Sequence, residues 1–443
     1  MNKSNFKLLA GLGIGLLVTG CSTSTLITAP PISYPSNSPK VAELTDKEAK
    51  HWGHLDLQKD TIPGMSVDRA YSELLKKKKG EVVIVAVIDS GIDLDHEDIK
   101  DVLWTNPNET PGDGIDNDSN GYIDDIHGYN FLGESYNEQM EMARILRLKI
   151  GDAAYQQEAK SLVDEKLNEA ESALPQLKQI EQLISKADQS MQEALGKKVY
   201  TLTDLQNYQP KNEQEQRTAG ILMQVYSMGQ AVPEAIADLQ EGVKYYSEQL
   251  KYNLNVDFDG RAPVGDNPYD FNDNRYGNGN PAAIDPQESH GSHVAGIIAA
   301  TRNNKKGVDG VAKNVQIMSV RAVPNGDEYD KDIAQAIRYA ADNGAKVINA
   351  SFGKGFSPNS EWVYDALKYA ASKDVLFVHA AGNDGIDLDS PENPNFPNDP
   401  PATKSQEIED NYLTVGALTP VYGADLVAVF SNYGKEYVDI FAP

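Results

Sequence analysis

Three stretches of this 443-residue chain carry side chains able to do acid–base chemistry, and a fourth carries oxygens spaced for a cation. The apolar run Val82 to Ile88 ends in Asp89-Ser90-Gly91, which sets a carboxylate at the exit of a strand. In a parallel α/β sheet, reacting groups gather at the carboxyl ends of the strands. A lone strand-end aspartate equally serves as a cap or turn residue. The string His290-Gly291-Ser292-His293-Val294-Ala295-Gly296 opens a small-residue helix, so its first imidazole can face a cleft while Ala295 and Gly296 permit close packing. Val378-His379-Ala380-Ala381-Gly382-Asn383 ends another buried run in a glycine turn and an amide. Such an amide can donate a hydrogen bond to a developing oxyanion.

The fourth stretch runs from Asp116 to Asp125. It places Asp116, Asp118, Asn120, Tyr122 and Asp124 at alternate positions, with Gly121 sixth for a sharp turn. This matches the first nine positions of a calcium loop, although His127 stands where an EF-hand has its bidentate glutamate. A structural calcium ion is the expectation, and an acidic turn is the competing reading. The acidic stretch from Asp257 to Asp273 is less regular and reads as a loop.

These groups need strands and helices to hold them. Continuous β-branched runs predict buried strands at 82–88, 315–323, 346–350, 375–380 and 412–415. Amphipathic spacing predicts helices at 329–343 and 360–373, so the expected class is α/β with a mainly parallel sheet flanked by helices. Ser66 is placed to cap a helix that runs into the lysines at 76–79 and stops at Gly80. Residues 134–254 are rich in Glu, Gln, Lys, Ala and Leu, which predicts an α-helical insertion of two or three long helices, broken at Pro175 and at 207–212. Its role is either a lid, docking arm or partner platform, or a surface elaboration.

Composition narrows the functions. Acidic side chains number 66 against 40 basic ones, for a formal net charge of −26, which excludes nucleic-acid binding and suits hard cations. A single cysteine excludes internal disulfides and cysteine-rich zinc sites. Histidines at H-E-x-x-H spacing are absent, which disfavours a metal-dependent hydrolase. Lys3 and Lys7 precede an apolar run from Leu8 to Val18, too short to span a bilayer and suited to a signal-peptide core. Its end, Leu17-Val18-Thr19-Gly20-Cys21, resembles a bacterial lipobox. That resemblance implies export and a lipid anchor on Cys21 to a membrane of the cell envelope. The expected organisation is a signal peptide over 1–21, a tether over 22–40, a main domain over 41–133 and 255–443, and the insertion over 134–254.

Taken together, the Asp89, His290 and Asn383 motifs resemble those of the subtilisin-like serine peptidases, the subtilases, in which aspartate precedes histidine and histidine precedes serine. The resemblance covers roughly 80–133 and 255–443 and implies an endopeptidase acting on polypeptides through a covalent acyl-enzyme. It implies that Asp89 orients and stabilises the imidazole, that His290 is the general base and then acid, and that Asn383 donates to the oxyanion. Asn349-Ala350-Ser351-Phe352-Gly353 resembles the edge that pairs with an extended substrate, so Ser351, Phe352 and Gly353 are substrate-binding candidates. Asp98 and Asn304 fall where subtilases hold a structural calcium, with Lys305 and Lys306 beside them.

The sequence departs from the family in the insertion and in Ser292, where threonine is usual. It also contains no Gly-Thr-Ser motif through Pro443, although family members carry their nucleophile on one after the segment resembling 430–443. In subtilisin the loss of that serine costs about 10⁶ in rate. The chain as given is therefore expected to be inactive, the front part of a peptidase. The alternative is a catalytically inactive, surface-anchored peptide-binding or scaffold protein.

Overall fold

A computed structural model describes residue 40 and residues 42–76, 78–399 and 410–443. Seven strands form one sheet: β1 (Val83–Asp89), β2 (Gly128–Asn130), β3 (Val315–Arg321), β4 (Val347–Ala350), β5 (Leu376–Ala380), β6 (Tyr412–Ala417) and β7 (Ile440–Ala442). Their order is β2-β3-β1-β4-β5-β6-β7 and every pairing is parallel. The apolar runs are continuous because both faces of the sheet are covered. Ile88, Val320, Ile348 and Phe377 pack against Ile333 and Ile337 of the Asp330–Asp342 helix and Leu367 of the Ser360–Ser372 helix. On the opposite face Val85, Val87 and Ile317 meet Ala295 and Ala299 of the His290–Ala299 helix.

In the insertion region the helices are Glu141–Leu148, Ala153–Leu195, Leu202–Asn207, Glu213–Ser227 and Val232–Glu248. Pro175 does not break the second of these, which runs for 43 residues. A mid-helix proline costs about 3 kcal/mol, but each half of this helix is anchored in its own core. Val163 packs with Ile145 and Phe356, while Ile184 and Met191 pack with Leu222 and Val232. The Asp152 carboxylate accepts from the amides of Ala154 and Tyr155 at the start of the helix, and Gly196, at φ +65°, ends it.

The helix expected after Ser66 is also different. Ser66 takes a left-handed backbone and its hydroxyl donates to Asp56 at 2.6 Å instead of capping. Buried Asp56 needs that donor, and the helix shortens to Val67–Arg69 followed by a π-helical turn over Ala70–Leu75, before the lysines begin. Cys21, the signal and nearly all of the tether lie outside the described residues, as does Lys77. Among the described residues no helix is long and apolar enough to cross a membrane.

Candidate active site

The strand order brings the chemistry-bearing termini together. β4, β1 and β5 are consecutive neighbours (β1–β4–β5), with Ile88 opposite Ala350 and Ala350 opposite His379. Asp89, the 351–353 segment and the turn to Asn383 therefore leave one edge of the sheet from adjacent strands, at about 4.8 Å per strand. Asp89 is buried, and both of its carboxylate oxygens lie 2.9 Å from Nδ1 of His290. Oδ1 also accepts from the Ser90 amide at 2.8 Å. The hydrogen bond to Asp89 raises the His290 pKa above the ordinary histidine value, against burial, which lowers it. The His290 side chain is 58% exposed, so the ring is held on its Nδ1 side and open beyond.

Glycine makes that approach possible. A Cβ on Gly291 would stand 2.3 Å from the Gly91 carbonyl oxygen, so only glycine lets the helix start against the exit of β1. Gly91 itself has φ +101°. Ser292, in the position where the family usually has threonine, accepts the Asp93 amide at 2.8 Å through Oγ and ties the two segments together.

Two further groups position His290 without any motif to announce them. Arg321 ends β3 opposite Asp89, and its buried guanidinium pairs with Glu288, two residues before His290. Glu288 Oε2 also accepts the amides of Ile284 and Asp285, so the pair fixes the loop that delivers the imidazole. The sequence signal was a charged residue at the end of a largely apolar strand.

Residues 351–353 follow directly from the ladder that closes at Ala350 and belong to no helix or strand. Ser351 Oγ accepts from Asn349, and buried Phe352 has its carbonyl held by Nε2 of His379 at 2.7 Å. Burial pushes the His379 pKa down to about 4, so this ring is a neutral donor. Gly353 lies exposed. Asn383 is exposed just past Gly382, whose φ is +101°. The turn is shaped by buried Asn432, which donates to the Ala381 carbonyl at 2.9 Å and accepts the amides of Asp384 and Ile386.

The candidate calcium residues separate into two groups. The Asp116 carboxylate accepts the amides of Asn120 and Gly121, and that of Asp124 accepts the amides of Gly112 and Gly114. Tyr122 packs its ring on Tyr129 and Tyr339. Asp118 instead converges with Glu109 and Asp125, one carboxylate oxygen from each lying within 4.8 Å of the others. The amides of Asn106 and Asn120 each donate to both Asp118 and Asp125. Glu109 Oε2 is buried without a hydrogen bond, and burial pushes the Asp125 pKa up to about 6. Glu109 precedes the alternating pattern and went unnoticed for that reason. Asp98 is hydrogen-bonded to the Asn304 amide.

A doubly covered parallel sheet with an aspartate–histidine pair at its carboxyl edge defines an α/β enzyme scaffold of the serine-hydrolase kind. The subtilase family model matches residues 80–443, and the chain belongs to that family. It is 38% identical over 213 residues to a thermophilic serine proteinase of Bacillus sp. (strain AK1), covering 47% of this chain and 43% of the relative. It is 37% identical over 155 residues to thermitase of Thermoactinomyces vulgaris, covering 35% and 48%. It is 41% identical over 175 residues to a cell wall-associated protease of Bacillus subtilis (strain 168), covering 39% and 17%. The matches span less than half the length of each of these relatives.

Proposed function

We propose that this chain carries the acid–base half of a serine endopeptidase that cleaves polypeptides at the cell envelope. The Asp89–His290 hydrogen bond at the carboxyl edge of the sheet is the observation that supports it most directly. Asp89 holds Nδ1 protonated, leaving Nε2 to take the proton of a serine hydroxyl and return it to the leaving amine. Asn383 donates to the oxyanion, and the 351–353 segment adds a substrate strand to the sheet. The mechanism also needs a serine nucleophile, which in the family sits on a Gly-Thr-Ser motif that residues 1–443 do not contain. Cys21 bears the lipid that tethers the exported protein.

Expressing the gene with its reading frame continued past Pro443 tests this. The product should react with a fluorophosphonate and hydrolyse casein, whereas a protein ending at Pro443 should do neither. A folded read-through product that fails both assays overturns the reading in favour of a pseudo-peptidase that only holds peptides.

We further propose that Glu109, Asp118 and Asp125 hold a structural calcium ion. Three converging carboxylates repel one another, and a divalent cation relieves that repulsion. At a free concentration of 100 Kd, calcium should stabilise the fold by about 2.7 kcal/mol, and Asp118→Asn should abolish most of that response. In chelator the Asp125 contribution has the opposite pH dependence from an ion-paired acid. Its folded pKa of about 6 lies above the ordinary value of about 3.9, so its stabilisation is full below pH 4 and lost as pH rises through 6. Identical melting curves in calcium and in chelator at pH 7.5 would refute the site.

A further inference from the structure

A second cluster of ligating side chains lies away from the active site, in the segment that precedes β1. His51 precedes and His54 ends a single 3₁₀ turn, Trp52–His54, and Asp68 lies in the short Val67–Arg69 helix. The two imidazole rings are 4.7 Å apart. His51 Nε2 is 2.7 Å from Asp68 Oδ2, and His54 Nδ1 is 4.0 Å from Asp68 Oδ1. One nitrogen of each ring and one carboxylate oxygen lie within 4.8 Å of one another. His54 Nδ1 is buried and makes no hydrogen bond, a situation that costs free energy unless something binds there.

We propose that His51, His54 and Asp68 form a binding site for a divalent transition metal, with Zn²⁺ the natural occupant. Two imidazoles and one carboxylate are ligands for zinc rather than for calcium, which takes oxygen alone. The Asp68 side chain is 44% exposed, so an ion can enter and water can complete the tetrahedron. Bonds of about 2.0–2.1 Å put tetrahedral ligand atoms about 3.3 Å apart. The edge from His51 Nε2 to Asp68 Oδ2 would then widen by about 0.6 Å, and the edges to His54, none longer than 4.8 Å, would close by rotation of partly exposed side chains.

The surroundings give the site a structural role. Asp68 Oδ1 is 3.6 Å from Nη2 of Arg302, so the carboxylate can ligate through one oxygen and be oriented through the other. Arg302 is itself fixed, lying 4.2 Å over the Tyr71 ring and donating to the Gly310 carbonyl. It belongs to the loop that follows the His290–Ala299 helix. A metal held here would join residues 51–69 to the far end of the helix that carries the imidazole of the active site.

Calorimetric titration of ZnCl₂ into the full chain, with calcium present in excess to fill the acidic loop, provides the test. One equivalent should bind with a Kd below about 10 μM, and Co²⁺ should give visible absorption bands of a low-coordinate nitrogen–oxygen site. His51→Gln and His54→Gln should each weaken binding by at least about 30-fold, because each removes one of three protein ligands. His290→Gln should leave it unchanged, which separates this site from the active-site imidazole. Asp68→Asn, at an exposed position, keeps the test decisive if His54→Gln melts early in chelator, and it too should lose at least about 10-fold. Failure to bind zinc more tightly than about 100 μM, or equal binding by all three ligand variants, would overturn the proposal.

Discussion

Replacing His290 by alanine is expected to lower kcat of the serine-containing protein by about 10⁶, the size of loss measured in subtilisin itself when its base is removed. Asp89→Asn should cost less, about 10⁴, because it leaves the imidazole in place but no longer fixes its tautomer. Asn383→Leu should cost about 10²–10³, the effect of one lost oxyanion donor. Combining His290→Ala with Asp89→Asn should add little to His290→Ala alone, since the carboxylate acts through the ring. The pH profile distinguishes this from a merely structural pair. Only neutral His290 can accept a proton, and its raised pKa places the acid limb of kcat/KM above 6.5. Asp89→Asn removes the cause of that shift and should move the limb to lower pH. Three variants that each lose less than tenfold, with an unmoved acid limb, would sink the assignment.

What the sequence discloses depends on how local the physics is. β1 and β3 to β6 were legible because a strand covered on both faces is dominated by apolar and β-branched residues. β2 and β7 have three residues each, too few to show any period. Asp89, His290 and Asn383 stood out because each sits where a buried run or a small-residue helix meets glycine. Arg321 and Glu288 stayed hidden, since a pairing across 33 residues leaves no spacing to read. Ser66 misled for a related reason: its hydroxyl answers Asp56, ten residues away, rather than its own helix. Pro175 misled because local propensity sees a broken ladder and cannot see two cores gripping one helix.

The same blindness to long-range partners hid the joint between the helical region and the main body, where substitution should be costly for stability. Buried Lys354, immediately after the 351–353 segment, donates to Glu141 Oε2 and to the Glu328 carbonyl, each at 2.8 Å, and pairs with Asp330 at 2.8 Å. Glu141 opens the Glu141–Leu148 helix and also receives Arg144 at 2.6 Å. Arg144 has no exposed surface and donates to the carbonyls of Asp327 and Glu328. Burial alone would raise the Glu141 pKa, but Arg144 and Lys354 outweigh it and hold the carboxyl at about 2. Its contribution is therefore present above the ordinary value of about 4.3 and lost only as pH falls through 2. Asp327 and Glu328 are pushed the other way by burial. Lys354→Met takes one of two cations from Glu141, which keeps Arg144, and takes from Asp330 its one ion-pair partner among the described residues, in a site closed to water. Breaking a buried pair from one side costs about 3–5 kcal/mol, a large part of a domain stability of about 5–15 kcal/mol. Adding Glu141→Gln to Lys354→Met should recover part of that loss, because it removes a stranded charge. Urea unfolding of the four members of this cycle measures both quantities. A single-variant loss below about 1 kcal/mol, as for exposed pairs, would show that the joint is held by the Ile145, Val163 and Phe356 packing and not by its charges.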